Sequence, residues 1–120
     1  MNSRAKGKAG ELELAKFLRE HGFDEARRGV QYSGGGDSPD VVGIAGVHFE
    51  VKRTERLALY DAVDQARADA ADDAMPVVAH RCNSKPRSCR GEWLFVLGAE
   101  DALFLIEVAR ATGALKARRG

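Results

Sequence analysis

The clearest helical pattern of hydrophobic positions lies near the N-terminus. Leu14, Phe17 and Leu18 recur at the spacing of one helix face, so residues 8–21 are predicted to form an amphipathic helix. Gly22 follows and is expected to end the helix, because glycine readily adopts the left-handed backbone found just after helices.

Strict alternation of apolar and polar residues begins at Val47 and continues to Lys52. This period of two predicts a strand with two distinct faces, which carries Glu50 and Lys52 on the same side. Glycine and serine dominate residues 33–38, and residues 82–91 are polar and basic, so both segments are predicted to be loops. Four more strands are predicted at residues 26–32, 41–42, 77–80 and 93–97.

Two more helices complete the predicted order of elements. Residues 59–74 are rich in alanine, with a stripe of small side chains suited to close packing on a sheet. Pro76 is expected to end that helix and open the next strand, and a last helix covers residues 100–110. The predicted order is therefore α-β-β-β-α-β-β-α in one α/β domain, residues 1–120, with a mixed sheet.

Composition narrows the class of protein. The chain has 120 residues, of which 44% are hydrophobic and 31% charged, and its mean hydropathy is −0.34, which is typical of a soluble globular domain. A membrane span and a secretory signal peptide are not expected, so we expect an intracellular protein, in the cytoplasm of a prokaryote or of a phage-infected cell. The two cysteines, Cys82 and Cys89, are expected to be free thiols.

The charges are segregated along the chain although they nearly balance overall. The formal net charge is +1. Residues 81–90 and residues 110–120 each contain four basic residues and no acidic one, whereas residues 61–73 contain five aspartates. The two basic segments are candidate contacts for phosphate groups, with an ordinary solvated surface as the alternative.

The candidate chemistry is centred on Asp40, Glu50 and Lys52. If the end of the strand at residues 41–42 lies beside Glu50, two carboxylates converge where a hard cation such as Mg²⁺ neutralises them. Such a cation lowers the pKa of a bound water and stabilises charge on a phosphate. Lys52 would orient the attacking water and share the charge of the transition state. The pattern therefore favours hydrolysis of phosphodiesters.

These residues resemble the PD-(D/E)xK nuclease superfamily, and within it the archaeal-type and phage Holliday junction resolvases. Residues 52–62 and Gln65 are similar to a phage-encoded subgroup. The resemblance implies a restriction endonuclease-like α/β fold with a central mixed five-stranded sheet flanked by helices. It is carried by residues 6–13, Arg27 and Arg28, the loop at Ser33 and Gly34, residues 39–43, and Glu50-Val51-Lys52.

The resemblance also implies roles for individual residues. Asp40 and Glu50 would be the main metal ligands, Glu11 a third acidic member of the metal site, and Lys52 the catalytic lysine. The cofactor would be Mg²⁺, with Mn²⁺ as a substitute. Gln65 would be an accessory residue. The expected DNA contacts are Lys8, Arg27, Arg28, Ser33 and Arg53, although alternation places only one of the two adjacent arginines toward the site.

The expected function is a metal-dependent endodeoxyribonuclease that resolves four-way DNA junctions in recombination or repair. Paired cuts on two strands call for a homodimer, with a candidate interface formed by Leu94, Val96, Leu103, Leu105 and Ile106. The alternatives are another DNase of the same chemistry, of the nicking, flap or restriction type, and a DNA-binding module whose nuclease site is silent.

Three other patterns have weaker functional interpretations. His48 shares a predicted strand face with Glu50, and a structural role for it is favoured over contact with water at a metal. His80, Cys82 and Cys89 have no clearly placed fourth ligand, which disfavours a zinc site. The glycines at positions 34–36 lack the lysine and hydroxyl residue of a phosphate-binding loop, so a nucleotide cofactor is not expected.

Overall fold

The structure is a computed structural model that describes residues 3–29, 40–82 and 91–119. The predicted glycine-rich loop and most of the predicted basic loop lie outside these residues. The helices and strands are α1 (Ser3–Glu20), β1 (Arg27–Arg28), β2 (Val41–Val42), β3 (Val47–Arg53), α2 (Leu59–Asp69), β4 (Met75–Arg81), β5 (Leu94–Val96), α3 (Ala99–Ala111) and α4 (Ala114–Arg119).

The five strands form one mixed sheet in the order β1-β2-β3-β4-β5. Neighbouring strands are antiparallel except for β3 and β4, which are parallel. A parallel pair needs a crossover connection, and α2 supplies it. The predicted α/β architecture, a mixed five-stranded sheet flanked by helices, is confirmed.

The two faces of β3 contact different helices. Phe49 belongs to the core cluster that contains Leu14 and Leu18 of α1. Glu50 is in register with Val78 of β4, and Val78 packs against Ala62 and Ala66 of α2 in a second cluster. Because successive side chains of a strand point to opposite faces, the polar positions of β3 lie on the side of α2.

The boundaries of the elements differ from the prediction in several places. Helix α1 begins at Ser3 rather than at residue 8, and α2 ends at Asp69 although alanines continue to residue 74. Ala70 is extended, with ψ 142°, because the chain must turn back to start β4 at Met75, whose N–H donates to the Gly46 carbonyl at 2.8 Å. Strand β4 therefore includes Pro76 instead of starting after it.

The C-terminal part carries one more helix than predicted. Gly113 follows α3 with φ +78°, a conformation that interrupts a helix and favours glycine. The chain then resumes helical structure in α4. Among the residues described, no helix is both long enough and apolar enough to cross a membrane.

Cys82 lies at the end of β4 and is buried. It is disulfide-bonded, so the expectation of a free thiol at this position is wrong. The other cysteine of the chain, Cys89, lies outside the described residues.

Candidate active site

A row of three polar side chains follows one face of β3. Glu50 stands in the middle of the row: its Oε1 atom is 4.0 Å from Nε2 of His48, and its Oε2 atom is 3.7 Å from Nζ of Lys52. Lys52 also donates a hydrogen bond to Oε1 of Gln65 at 3.0 Å. Gln65 belongs to α2, so the crossover helix holds the lysine side chain in place beside Glu50.

Asp40 lies beside this row because β2 pairs with β3. The Asp40 N–H donates to the Phe49 carbonyl at 2.9 Å, and the Val51 N–H donates to Oδ2 of Asp40 at 2.7 Å. Val51 lies between Glu50 and Lys52 in the chain. The backbone of the triplet therefore fixes the Asp40 side chain next to β3.

Glu11 is supplied by α1 and contacts the edge strand β1. Nε of Arg28 donates to Oε1 of Glu11 at 2.7 Å, and the Glu11 side chain is mostly buried. Arg27 instead donates to the Glu25 carbonyl and is exposed. Of the two adjacent arginines, Arg28 is therefore the one that contacts the acidic group.

Burial raises the pKa of all three carboxyl groups, and the negative charge of Asp40 adds to the rise at Glu11 and Glu50. The pKa of Glu50 rises from 4.5 to about 7, first through burial and then through the negative charge of Asp40, while Lys52 opposes the shift. Burial also raises the pKa of Asp40, although the hydrogen bond from the Val51 N–H lowers it. For Glu11 the rise in pKa comes from burial and Asp40, and Arg28 opposes it.

Such a group of repelling oxygen ligands is chemically suited to a hard divalent cation. A cation would offset the burial of negative charge that raises the three pKa values, and the repulsion by Asp40 that adds to two of them. Across residues 3–29, 40–82 and 91–119, no three His, Cys, Asp or Glu side chains are already close enough to hold one metal ion together. Cation binding would therefore have to draw the carboxylates closer to one another.

Asp69, the last residue of α2, is part of this electrostatic environment and was missed in the sequence analysis. Its negative charge raises the pKa of both Asp40 and Glu50. The signal that would have found it is its spacing from Gln65, since residues four apart share one face of a helix.

The remaining candidate DNA contacts have different surroundings. Lys8 is exposed on α1. Arg53 is paired with Oε1 of Glu13, whose Oε2 accepts a hydrogen bond from Arg81 at 2.9 Å. Arg53 and Arg81 thus share the carboxylate of Glu13, which is not one of the candidate metal ligands. Ser33 lies outside the described residues.

A mixed sheet flanked by helices is the α/β fold of the restriction endonuclease-like nucleases, and this is the class to which the structure belongs. The model of the archaeal Holliday junction resolvase (Hjc) family matches residues 2–71. The match covers more than half of the chain, so the chain belongs to this family of PD-(D/E)xK nucleases. The matched segment includes Glu11, Asp40, Glu50 and Lys52 and ends just after α2. Neither the search of curated proteins nor that of solved structures gave a match.

Proposed function

We propose that this chain is a divalent metal-dependent endonuclease of a single domain, residues 1–120, that resolves four-way DNA junctions. The observation that carries the proposal is the hydrogen bond from the Val51 N–H to Asp40, which joins the aspartate to the Glu50-Val51-Lys52 triplet. Membership in a family of junction-resolving nucleases supports the substrate class.

Asp40 and Glu50, with Glu11 as a third carboxylate, would hold Mg²⁺, and Mn²⁺ would substitute for it. Their hard oxygen donors match the preference of these ions. When bound, the cation supplies positive charge that stabilises the phosphate in the transition state and makes water more acidic. Glu11 is kept in position by Arg28, and Asp40 by the backbone of β3.

Lys52 would orient the attacking water and interact with the scissile phosphate. Its ammonium group donates to Gln65 and lies near Glu50, and an ammonium has three donors, so donors remain for water and phosphate oxygens. A cavity of about 230 Å³ opens beside Lys52 and Gln65 and is also lined by Arg56. This cavity gives a phosphate group a route to the lysine.

The DNA backbone would be held by basic residues around this site. Arg28 lies beside Glu11, and Lys8 and Arg27 are exposed on neighbouring elements. Ser33 is included on the family resemblance. Arg53 would have to exchange Glu13 for a phosphate before it contacts DNA.

We also propose that the chain acts as a homodimer. Resolution needs two matching cuts, and a twofold dimer presents two active sites in equivalent orientation. Helix α3 and most of β5 expose apolar side chains. Val96 of β5 packs against α2 instead, so we leave it out of the proposed interface. The exposed apolar side chains are Leu94, Phe95, Leu103, Phe104, Leu105, Ile106 and Val108.

The test is cleavage of a labelled four-way junction in Mg²⁺ beside linear duplex, splayed and flap DNA of equal length. Glu50→Gln and Lys52→Ala serve as active-site variants, and Lys16→Ala, a change at an exposed position of α1, serves as the matched control. Paired symmetrical cuts confined to the junction, lost in both active-site variants and kept in the control, are expected.

Two outcomes would contradict this proposal. Equal cutting of all DNA forms would indicate a general DNase of the nicking, flap or restriction type. Tight junction binding without cleavage in either Mg²⁺ or Mn²⁺ would indicate a silent DNA-binding module.

A further inference from the structure

His48 is the one member of the β3 row for which the proposed reaction has no role. Its side chain is 3% exposed, and it shares the strand face of Glu50 and Lys52. Its Nε2 atom is buried and has no hydrogen-bond partner among the described residues. A buried polar atom without a partner is costly, and in native proteins it calls for an explanation.

Among the residues that the structure describes, the Glu50 carboxylate is the nearest ionic partner of this nitrogen. Oε1 of Glu50 is 4.0 Å from Nε2, which is about 1 Å longer than a hydrogen bond. The other carboxylate oxygen, Oε2, faces Lys52. The two oxygens are therefore turned toward different neighbours, and a small movement of the carboxylate is enough to bring Oε1 to the imidazole.

Carboxylates that bind metals are usually held by further hydrogen bonds, which fix their orientation. A neutral imidazole protonated on Nε2 is such a donor. With Oε1 held from inside the fold, Oε2 remains on the side of Lys52. The carboxylate then loses the freedom to rotate, and less entropy is lost when a cation is bound.

We propose that His48 is a positioning residue for Glu50: its Nε2–H donates to Oε1 in the cation-bound state and so strengthens cation binding. This inference rests on the proposed function, because it takes Glu50 as a cation ligand. The competing interpretation is that His48 only fills space between β3 and α2. The two interpretations differ in whether cation binding depends on the Nε2 atom of His48.

Substitutions can test that dependence because an amide side chain can reproduce the position of either ring nitrogen separately. His48→Gln places an amide nitrogen at the same distance along the side chain as Nε2. His48→Asn places one at the distance of Nδ1 and leaves the Nε2 position empty. His48→Leu removes both ring nitrogens but keeps a side chain of similar bulk.

The experiment measures Mn²⁺ binding to the DNA-free chain by the loss of the electron paramagnetic resonance signal of free Mn²⁺. His48→Leu and His48→Asn are expected to weaken binding by about 10- to 100-fold. His48→Gln is expected to restore most of the affinity. Circular dichroism and thermal unfolding in chelator show whether each variant is folded.

A measurement on the unsubstituted chain provides an independent readout. The chain contains three histidines, so the ¹⁵N resonances of the imidazole rings can be assigned by substitution. Addition of Mg²⁺ is expected to shift the Nε2 resonance of His48 in the direction of a stronger hydrogen-bond donor. An unchanged Nε2 resonance in the presence of saturating Mg²⁺ would overturn the proposal.

The outcomes separate the two levels of inference. Mn²⁺ binding that is lost in Glu50→Gln but equals wild type in His48→Leu overturns the role of His48 and leaves the cation site standing. Equal weakening by His48→Gln and His48→Asn likewise overturns it, since Nε2 would have no special part. Absence of Mn²⁺ binding by the wild-type chain overturns both the cation site and the role of His48.

Discussion

At the scale of single residues, Glu50 links the stability of the fold to pH. Burial and the charge of Asp40 raise its pKa from 4.5 to about 7, so between these values the folded chain holds a proton that the unfolded chain has released. The free energy of unfolding therefore falls as pH rises through this window.

Urea denaturation of the metal-free chain at a series of pH values measures this effect. From pH 4.5 to pH 7, wild type is expected to lose stability relative to Glu50→Gln, by up to about 3 kcal/mol. Mg²⁺ is expected to offset the loss, because a cation favours the ionised carboxylate. Parallel pH profiles for the two proteins would contradict the assignment of the shift to Glu50.

The adjacent arginines Arg27 and Arg28 offer a second comparison at this scale. Arg28 contacts Glu11 in the candidate site, whereas Arg27 is exposed and bonded to a backbone carbonyl. Arg28→Ala is expected to lower the single-turnover rate of junction cleavage about 100-fold, as loss of a charged group at a reacting phosphate does. Arg27→Ala is expected to have a much smaller effect. Similar losses in both variants would argue against a specific role for Arg28.

At the scale of elements, the turn between β2 and β3 determines where Asp40 lies. Gly43 and Gly46 both have positive φ, at +104° and +82°. A β-carbon at Gly43 would overlap the Glu25 carbonyl oxygen, whereas one at Gly46 would meet open space. The close approach of this turn to the segment before β1 therefore depends on the absence of a side chain at Gly43.

Alanine substitutions separate the cost of the backbone conformation from the cost of the overlap. Gly46→Ala is expected to lower the free energy of unfolding by about 1–2 kcal/mol. Gly43→Ala is expected to cost clearly more and to reduce cleavage as well, because Asp40 would move with β2. Urea unfolding gives the first quantity and junction cleavage the second. An equal cost at the two positions would show that the overlap is relieved elsewhere.

At the scale of the whole molecule, α3 and β5 expose apolar side chains that a monomer would leave in contact with water. Phe104 is 63% exposed and Leu103 62% exposed, and contiguous apolar surface of this kind commonly marks an interface. A second copy of the chain is the occupant that the proposed paired cleavage requires.

Sedimentation equilibrium tests this expectation. Phe104→Glu is expected to shift the chain from dimer toward monomer, because dimerisation would bury an unpaired charge. Ala111→Glu, which adds the same charge at an exposed position at the end of α3, is expected to leave the dimer intact. A wild-type chain that sediments as a monomer, with or without junction DNA, would refute the dimer.

The sequence by itself determined the elements whose pattern is local. The helical spacing at Leu14 and Leu18, and the alternation along β3, predicted both elements and put Glu50 and Lys52 on one face, because period alone decides which side chains share a face. The spacing of Asp40 from Glu50 and Lys52 made it a candidate as well, and the family resemblance added Glu11. Helix ends were less predictable, since alanines after Asp69 favour a helix that the start of β4 does not allow.

Only the tertiary structure decided which residues meet across elements. It turned Arg28 rather than Arg27 to Glu11, paired Arg53 with Glu13 across the α1 face of the sheet, and brought Asp69 of α2 near Glu50. It also buried His48 beside Glu50, with no hydrogen-bond partner for Nε2 in the described part of the chain. These contacts join residues distant in the chain, and they depend on how helices pack on the sheet, which no local pattern of residues encodes.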